Sequence, residues 1–141
     1  MPVQKIFATP QDAEAAFYEA LERCDLDAMM AVWAEDEEVT CIHPGGPRLV
    51  GFAAIAEAWR AIFANGARLR LRLSQATSVS TPFAVVTTVL EHFSTADDKA
   101  VSAPVVATNV YVRGTTGWHM VAHHASPAPP NSVGDASRIL H

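Results

Sequence analysis

The sequence predicts an α+β domain in which three N-terminal helices pack on one face of a mainly antiparallel β-sheet. Three observations predict this class. Apolar residues at helical spacing are confined to the first half of the chain, and the second half is rich in Val, Thr and aromatic residues between turn signals. The length of 141 residues suits one hydrophobic core. Helices followed by a run of consecutive strands are typical of α+β domains.

Each predicted helix has a stripe of apolar residues and its own start or stop signal. The helices are predicted at residues 10–24, 26–34 and 52–65. Thr9 precedes a proline at the first helical position and is a suitable N-cap, and Asp25 can cap the second helix. We therefore expect short connections and helices that share one buried side.

The predicted strands are one short segment and four longer ones. Residues 39–43 are rich in β-formers and end at a turn with two prolines and two glycines. The longer strands are predicted at residues 68–75, 83–93, 101–113 and 118–126, as an antiparallel meander. We expect one domain over residues 1–127, and a tail over residues 128–141 that is disordered or lies across a neighbouring subunit.

Composition narrows the classes of partner. Half of the residues are hydrophobic, 18% are charged and the net charge is −5, so the chain should fold alone and has no basic surface for nucleic acid. No apolar run is long enough to span a membrane or to form a signal peptide, which favours a cytoplasmic protein without membrane contact. Cys24 and Cys41 are not in a C-x-x-C pair, and we expect both to be reduced and to pack as small hydrophobes.

A homodimer is predicted from the strands. Both faces of the later strands carry large apolar groups, and three helices can cover one face only. Arg68, Arg70 and Arg72 alternate with leucines, so the arginines share one strand face, which is interpreted as solvated or dimer-facing.

Short catalytic motifs are missing from the sequence. It has no G-x-S-x-G elbow, no phosphate-binding glycine loop, no dinucleotide fingerprint and no C-x-x-C pair. This favours chemistry without a cofactor, or plain ligand binding.

Two ionisable residues are the first candidates for a site. His43 ends a strand, and an imidazole suits proton transfer at neutral pH; the alternative is that it only hydrogen-bonds backbone in the Pro/Gly turn. Glu91 lies within an apolar strand, where a carboxylate needs a partner. It either contacts a histidine inside a cavity or points to solvent beside His92.

Two pairs of adjacent residues in later strands present a choice of face. His123 and His124 must point to opposite faces unless the strand is bulged, and the same holds for Thr108 and Asn109. A metal held by two histidines and a carboxylate is disfavoured because no H-x-x-x-H helix pair or H-x-H strand pair is present. No metal is therefore predicted.

Several motifs resemble those of SnoaL-like proteins in the nuclear transport factor two-like superfamily. They are Cys-Asp-Leu-Asp at 24–27, Cys-Ile-His-Pro-Gly-Gly at 41–46, Gly-Phe-Ala-Ala-Ile at 51–55 with Trp59, Thr-Asn-Val at 108–110, and the segment from Gly117-Trp118 to His123-His124-Ala125-Ser126-Pro127. The resemblance covers about residues 10–127 and implies the cone-shaped fold of ketosteroid isomerase and scytalone dehydratase. Members of this superfamily have unrelated activities.

The resemblance also implies site positions. It places His43 on the aspartate base of ketosteroid isomerase, Phe17 on its tyrosine and Thr108 on its protonated acid. Phe17 has no donor, which disfavours a steroid isomerase. The resemblance further places Glu91 and His123 inward.

The function predicted is that of a small-molecule-binding protein, with a cofactor-independent isomerase, cyclase, dehydratase or hydratase as the first hypothesis. His43 would be the general acid/base on a small apolar carbonyl or ring compound. The alternative is a non-catalytic ligand-binding or dimerisation domain. We predict that His43, Glu91 and one of the two late histidines converge in the largest pocket. The predicted catalytic residues are His43, Glu91 and His123, and the predicted substrate-binding residues are Phe17, Trp59, Thr108, Asn109 and His124.

Overall fold

The computed structural model describes residues 5–66, 69–95 and 103–129. The predicted tail beyond residue 129 and the predicted position of Arg68 lie outside the described residues. Within the described ranges, no helix is long and apolar enough to cross a membrane.

Three helices form where the sequence predicted them. They are α1 (Pro10–Arg23), α2 (Leu26–Val32) and α3 (Phe52–Asn65). The side chain of Thr9 accepts a hydrogen bond from the backbone N–H of Asp12 at 3.0 Å, and that of Asp25 accepts one from Ala28 at 3.0 Å. Both predicted N-caps are therefore confirmed, since each satisfies a backbone donor that the first helical turn leaves free.

One sheet of six strands lies against the helices. The strands are β1 (Thr40–Ile42), β2 (Arg48–Val50), β3 (Leu69–Ser80), β4 (Ala84–Thr95), β5 (Val105–Gly114) and β6 (Gly117–Pro127), in the order β2-β1-β6-β5-β4-β3. The last four form the predicted antiparallel meander. The fold is the predicted α+β cone, in which β1 pairs with β6 in parallel.

Two details of the strands differ from the prediction. The strand β2 was not predicted, because three residues after the Pro/Gly turn are too few to show a pattern. The strand β3 continues to Ser80 beyond the predicted end at residue 75. A bulge between Ser74 and Thr77 interrupts its register, and Gln75 has a positive φ of 54° there.

The two faces of the sheet differ in burial. We call the face covered by the helices the inner face; its buried residues include Val85, Thr87, Val89, Glu91, Ala107, Asn109, Tyr111, His123 and Ala125. We call the opposite one the outer face; it includes Val79, Val86, Thr88, Val106, Thr108, Val110, Ala122 and His124. The hydrophobic core lies between the inner face and the helices.

A bulge in β6 decides which histidine is buried. Val110 pairs with Ala122 but the next residue, Tyr111, pairs with Met120, so Val121 has no partner on β5. Met120 and His123 consequently share the inner face although they are three residues apart. Simple alternation of faces along β6 therefore does not hold across this bulge.

The two cysteines are free thiols. Cys41 is fully buried on β1 and Cys24 is half-buried just after α1. Both positions agree with small apolar packing, and burial raises the pKa of the Cys41 thiol to about 12.

Candidate functional site

The centre of the candidate site is a row of residues that crosses four strands on the inner face. Thr87 pairs with Asn109, Asn109 pairs with His123, and His123 pairs with Cys41 through the parallel β1–β6 contact. Paired residues point to the same face of a sheet. His43 follows Cys41 by two residues and therefore lies on the same side as His123.

Aromatic side chains surround the two imidazoles. The ring of His43 lies edge-on to Trp59, with a centroid distance of 4.6 Å, and 6.5 Å from the ring of His123. Phe17 on α1 is 4.9 Å from the His123 ring and 5.9 Å from Trp59. We call these four residues the aromatic site. Phe17 and Trp59 were predicted as substrate-binding residues; the structure places both rings beside the imidazoles, and contact with a substrate stays a prediction.

His43 lies half-buried at the rim of the aromatic site. The Pro/Gly turn is held by its backbone carbonyl, which accepts a hydrogen bond from the N–H of Gly46 at 2.8 Å. Within the part of the chain that the structure describes, the hydrogen-bonding contact of the ring is with the Sγ atom of Cys41, 3.6 Å from Nε2. Burial lowers the pKa of His43, so the ring is neutral at pH 7 and able to take a proton.

His123 lies deeper, with 3% of its surface exposed. Its Nδ1 atom is 2.6 Å from Oδ1 of Asn109. Burial, together with smaller effects of the neighbouring His43 and His124, lowers the pKa of His123 to about 3. His123 is therefore a neutral imidazole throughout the physiological range.

Asn109 connects His123 to helix α1. Its Nδ2 atom donates to the hydroxyl of Tyr18 at 2.8 Å and to Oε2 of Glu14 at 3.3 Å. Tyr18 and Glu14 are one helical turn apart on α1, which turns both toward the sheet. The hydroxyl of Tyr18 donates in turn to Oε2 of Glu91 at 2.7 Å.

Glu14 collects further hydrogen bonds from the sheet. Its Oε2 atom accepts from the hydroxyl of Thr87 at 2.6 Å and from that of Tyr111 at 2.7 Å. Burial raises the pKa of Tyr111, and the nearby Glu14 carboxylate raises it further, so the phenol keeps its proton. We call the seven connected residues the polar network: Glu14, Tyr18, Thr87, Glu91, Asn109, Tyr111 and His123.

Glu91 points inward, as the resemblance implied, with 2% of its surface exposed. It hydrogen-bonds Tyr18 and reaches His123 only through Tyr18 and Asn109. The structure therefore places Tyr18, rather than a histidine, as the hydrogen-bond partner of Glu91. The pKa of Glu91 is raised to about 7, chiefly by burial; the hydrogen bond from Tyr18 opposes this shift and the charge of Glu14 adds to it.

Two predicted ligand-binding residues are not part of this arrangement. Thr108 and His124 are paired with each other on the outer face, on the far side of the sheet from Asn109 and His123. Strand alternation separates each of them from its inner neighbour. Ligand contact by Thr108 or His124 stays a prediction that this placement does not support.

Four members of the polar network were not predicted from the sequence. Glu14 and Tyr18 flank Phe17 on α1, and their spacing of four residues was the available signal. Thr87 and Tyr111 lie at alternate positions on strands that already carried a candidate. Neither the helical spacing nor the strand alternation shows which strand residues α1 contacts in the folded chain.

Cavities formed by the described residues lie away from the four residues of the aromatic site. One of about 970 Å³ lies beside α2 and the β5–β6 turn, where Trp33, Glu35 and His119 are among its lining residues. His43, Glu91 and His123 do not line it, so their convergence in the largest pocket stays a prediction. Over the described ranges, no three His, Cys, Asp or Glu side chains are grouped to hold a metal ion.

Comparison with protein families gives a match over most of the chain. The family described as the SnoaL-like domain matches residues 11–130. An F-box protein of Arabidopsis thaliana, SKIP8, is 28% identical over 112 residues. This alignment covers 78% of the present chain and 46% of the plant protein, so the chain spans about half the length of that relative.

Two solved structures are similar in both sequence and fold. A protein of Thiobacillus denitrificans, proposed to be a calcium/calmodulin-dependent protein kinase type II association domain, is 44% identical with a TM-score of 0.84, over 89% of this chain and 99% of that one. A proposed dehydratase of the nuclear transport factor two-like family from Streptomyces avermitilis is 31% identical with a TM-score of 0.74, over 83% and 91%. The chain therefore belongs to the SnoaL-like domain family of the nuclear transport factor two-like superfamily.

Proposed function

We propose that the aromatic site binds a small, largely apolar carbonyl or ring compound and that His43 moves a proton on it without a cofactor. The reaction class is that of an isomerase, cyclase, dehydratase or hydratase. The observation that carries the proposal is the position of His43. Its ring lies at the rim against Trp59, 6.5 Å from a second neutral imidazole, and its contact with the Cys41 thiol is long and weak.

The environment of His43 suits a general base. Its lowered pKa keeps the ring unprotonated at neutral pH, and the indole of Trp59 fixes its orientation. Phe17 and Trp59 are buried in the hydrophobic core and make the surroundings of the two imidazoles apolar, which favours a ligand with an apolar ring. The proposed dehydratase from Streptomyces avermitilis, at 31% identity, supports this class of reaction.

Proton transfer at carbon gives the first test. The exchange of α-protons of cyclohexanone and 1-tetralone for deuterium would be followed by NMR in D2O with the wild-type chain. We expect His43→Gln to slow this exchange by about 10²- to 10⁴-fold, the usual contribution of a positioned acid or base. The wild-type rate should fall in acid at a pH below the ordinary imidazole pKa of about 6.5, because burial lowers the pKa of His43.

His92→Gln is the matched control, because His92 is a half-buried histidine on β4 that bonds Ser74 and does not belong to the aromatic site. It should leave the exchange rate unchanged. Equal rates for wild type, His43→Gln and buffer alone would contradict proton transfer by His43.

A second candidate function is association between copies of the chain, and a specific observation favours it. An apolar row made of Val79, Val86, Val110 and Ala122 runs across four strands of the outer face. Val79 is 72% exposed, and Phe83 near the start of β4 is 67% exposed. Such a contiguous apolar surface is typical of an interaction site, and the Thiobacillus denitrificans relative is a proposed association domain.

Light scattering coupled to gel filtration tests association. We expect wild type to form a dimer or larger species and Val86→Glu to shift it toward monomer, because a charge would be buried in the interface. Thr115→Glu adds the same charge at the exposed β5–β6 turn and should keep the wild-type mass. A wild-type monomer at every concentration tested would contradict association through this face.

A further inference from the structure

The hydrogen bonds between His123 and Glu91 form a chain with one direction. When Glu91 is ionised, as at pH 8, Tyr18 donates its one hydroxyl proton to the carboxylate, so the Tyr18 oxygen accepts from Asn109. The side-chain amide of Asn109 must then present its nitrogen to Tyr18 and its oxygen to His123. An amide oxygen only accepts, so the Nδ1 atom of His123 carries the proton.

Glu14 holds the amide of Asn109 in this orientation from a second side. Its Oε2 atom accepts from Thr87, Tyr111 and Asn109. Rotating the amide by 180° would place the Asn109 oxygen against this carboxylate oxygen, so that two acceptors would meet without a proton. Buried acceptors without a donor cost about 1–3 kcal/mol each. The orientation of Asn109 is thus fixed by Tyr18 and Glu14 together.

We propose that Asn109 is a positioning residue that locks neutral His123 with its proton on Nδ1, so that Nε2 is a hydrogen-bond acceptor for a ligand O–H group. The site would therefore prefer phenols, enols and alcohols to their ethers. This ligand class rests on the proposed function of the aromatic site, whereas the protonation of His123 does not.

The direction of the chain strengthens the acceptor. Every donor points toward Glu91: His123 to Asn109, Asn109 to Tyr18, and Tyr18 to the carboxylate. Hydrogen bonds aligned in this way polarise one another, which increases the electron density on Nε2 of His123. The amide of Asn109 does not pass a proton along the chain, so the network orients and polarises His123 without relaying protons.

The first arm of the test measures the tautomer directly. ¹⁵N NMR of the histidine rings at pH 8 distinguishes a protonated from an unprotonated ring nitrogen. We expect His123 to show protonated Nδ1 and unprotonated Nε2, and the exposed His124 to exchange between both forms. A protonated Nε2 on His123, or a mixture like that of His124, would overturn the proposal without any variant.

A pair of tyrosine variants shows whether the network sets the tautomer. Tyr18 and Tyr111 both donate to a network carboxylate, but Tyr18 also accepts from Asn109. Tyr18→Phe should therefore introduce a population of His123 with protonated Nε2, whereas Tyr111→Phe should retain the wild-type tautomer. If the network only stabilised the fold, the two variants would change the His123 ring signals equally. Equal spectra for the two variants would therefore overturn the proposal that Asn109 positions His123.

The second arm tests the ligand class with 2-naphthol and 2-methoxynaphthalene. We expect 2-naphthol to bind about tenfold more tightly, which corresponds to about 1.4 kcal/mol. Equal affinities at a site that shifts the His43 and His123 signals would overturn the ligand class and leave the proposed function standing. If neither compound shifts these signals, the ligand class and the proposed binding site both fail, while the tautomer is decided by the first arm.

Discussion

Two neighbouring rows of the sheet carry similar residues and have different environments. The inner row is Thr87, Asn109, His123 and Cys41, and the outer row, one residue further along or back on each strand, is Thr88, Thr108, His124 and Ile42. The inner row is buried and its polar groups bond to α1. In the outer row, Thr88 bonds to Thr77 on the next strand, and His124 is exposed.

The difference shows that coverage by a helix, rather than residue type, makes a candidate site here. A buried polar group costs free energy unless it is hydrogen-bonded, so the inner row requires partners such as Glu14 and Tyr18. On the outer face, water can satisfy the same groups. Substitutions at matched positions of the two rows should therefore have unequal effects.

The largest expected effect is at Asn109. Asn109→Leu leaves the Nδ1–H of His123 without an acceptor and the Tyr18 oxygen without its donor, although Tyr18 still donates to Glu91. We expect a loss of about 4 kcal/mol in the free energy of unfolding, from about 1–3 kcal/mol for each unsatisfied group. Thr108→Val, its neighbour on the outer face, should change it by less than about 0.5 kcal/mol. Urea denaturation of both variants measures the contrast. Similar losses in the free energy of unfolding for the two variants would show that coverage by α1 does not distinguish the two rows.

The next effect depends on pH and concerns Glu91. Its folded pKa of about 7 lies above the ordinary value of 4.5, so its protonated form stabilises the fold below pH 4.5. That stability is lost as the pH rises through 7, by about 3 kcal/mol at 1.36 kcal/mol per pKa unit. Glu91→Gln keeps an acceptor for Tyr18 and should lose this dependence, as measured by denaturation at pH 5 and pH 8.

The contribution of His123 to the free energy of unfolding has the opposite pH dependence, but it does not affect the comparison of wild type with Glu91→Gln. The pKa of His123 is lowered to about 3, so its contribution is present above pH 6.5 and is lost as the pH falls toward 3. The contribution is common to wild type and Glu91→Gln and cancels in their difference. Glu57→Gln, on the exposed side of α3, serves as a control that should follow wild type. Parallel curves for wild type and Glu91→Gln would contradict a raised pKa at Glu91.

The smallest contrast is between Thr87 and Thr88. Thr87→Val removes one of the three donors to Glu14 and should cost about 1–2 kcal/mol. Thr88→Val removes a hydrogen bond on the outer face and should cost less than about 0.5 kcal/mol. Thermal unfolding of the two isosteric variants gives the comparison. A larger loss for Thr88→Val would reverse the assignment of the two faces.

The local parts of the fold were predictable from the sequence. Thr9 and Asp25 act within one helical turn and mark the starts of α1 and α2, although α2 ends at Val32, two residues before its predicted end. The four later strands likewise followed from composition and turns. Each of these features depends on residues close together in the chain.

The site was predictable only in part, because its contacts are distant in sequence. The parallel β1–β6 pair that brings Cys41 and His43 to His123 joins strands from opposite ends of the domain. The bulge at Val121 breaks the alternation from which the inward histidine would be read. The partners of Asn109 on α1 depend on how the helix lies on the sheet. The resemblance to SnoaL-like proteins supplied the inward placement of His123, which alternation alone left open.

A ligand site on the inner face is tested most directly by an NMR titration of the histidine ring signals with cyclohexanone. We expect the signals of His43 and His123 to shift together and saturate, while those of His92 and His124 on the outer face stay fixed. Shifts confined to His92 or His124, or no shift of the His43 and His123 signals at saturating cyclohexanone, would contradict a ligand site on the inner face.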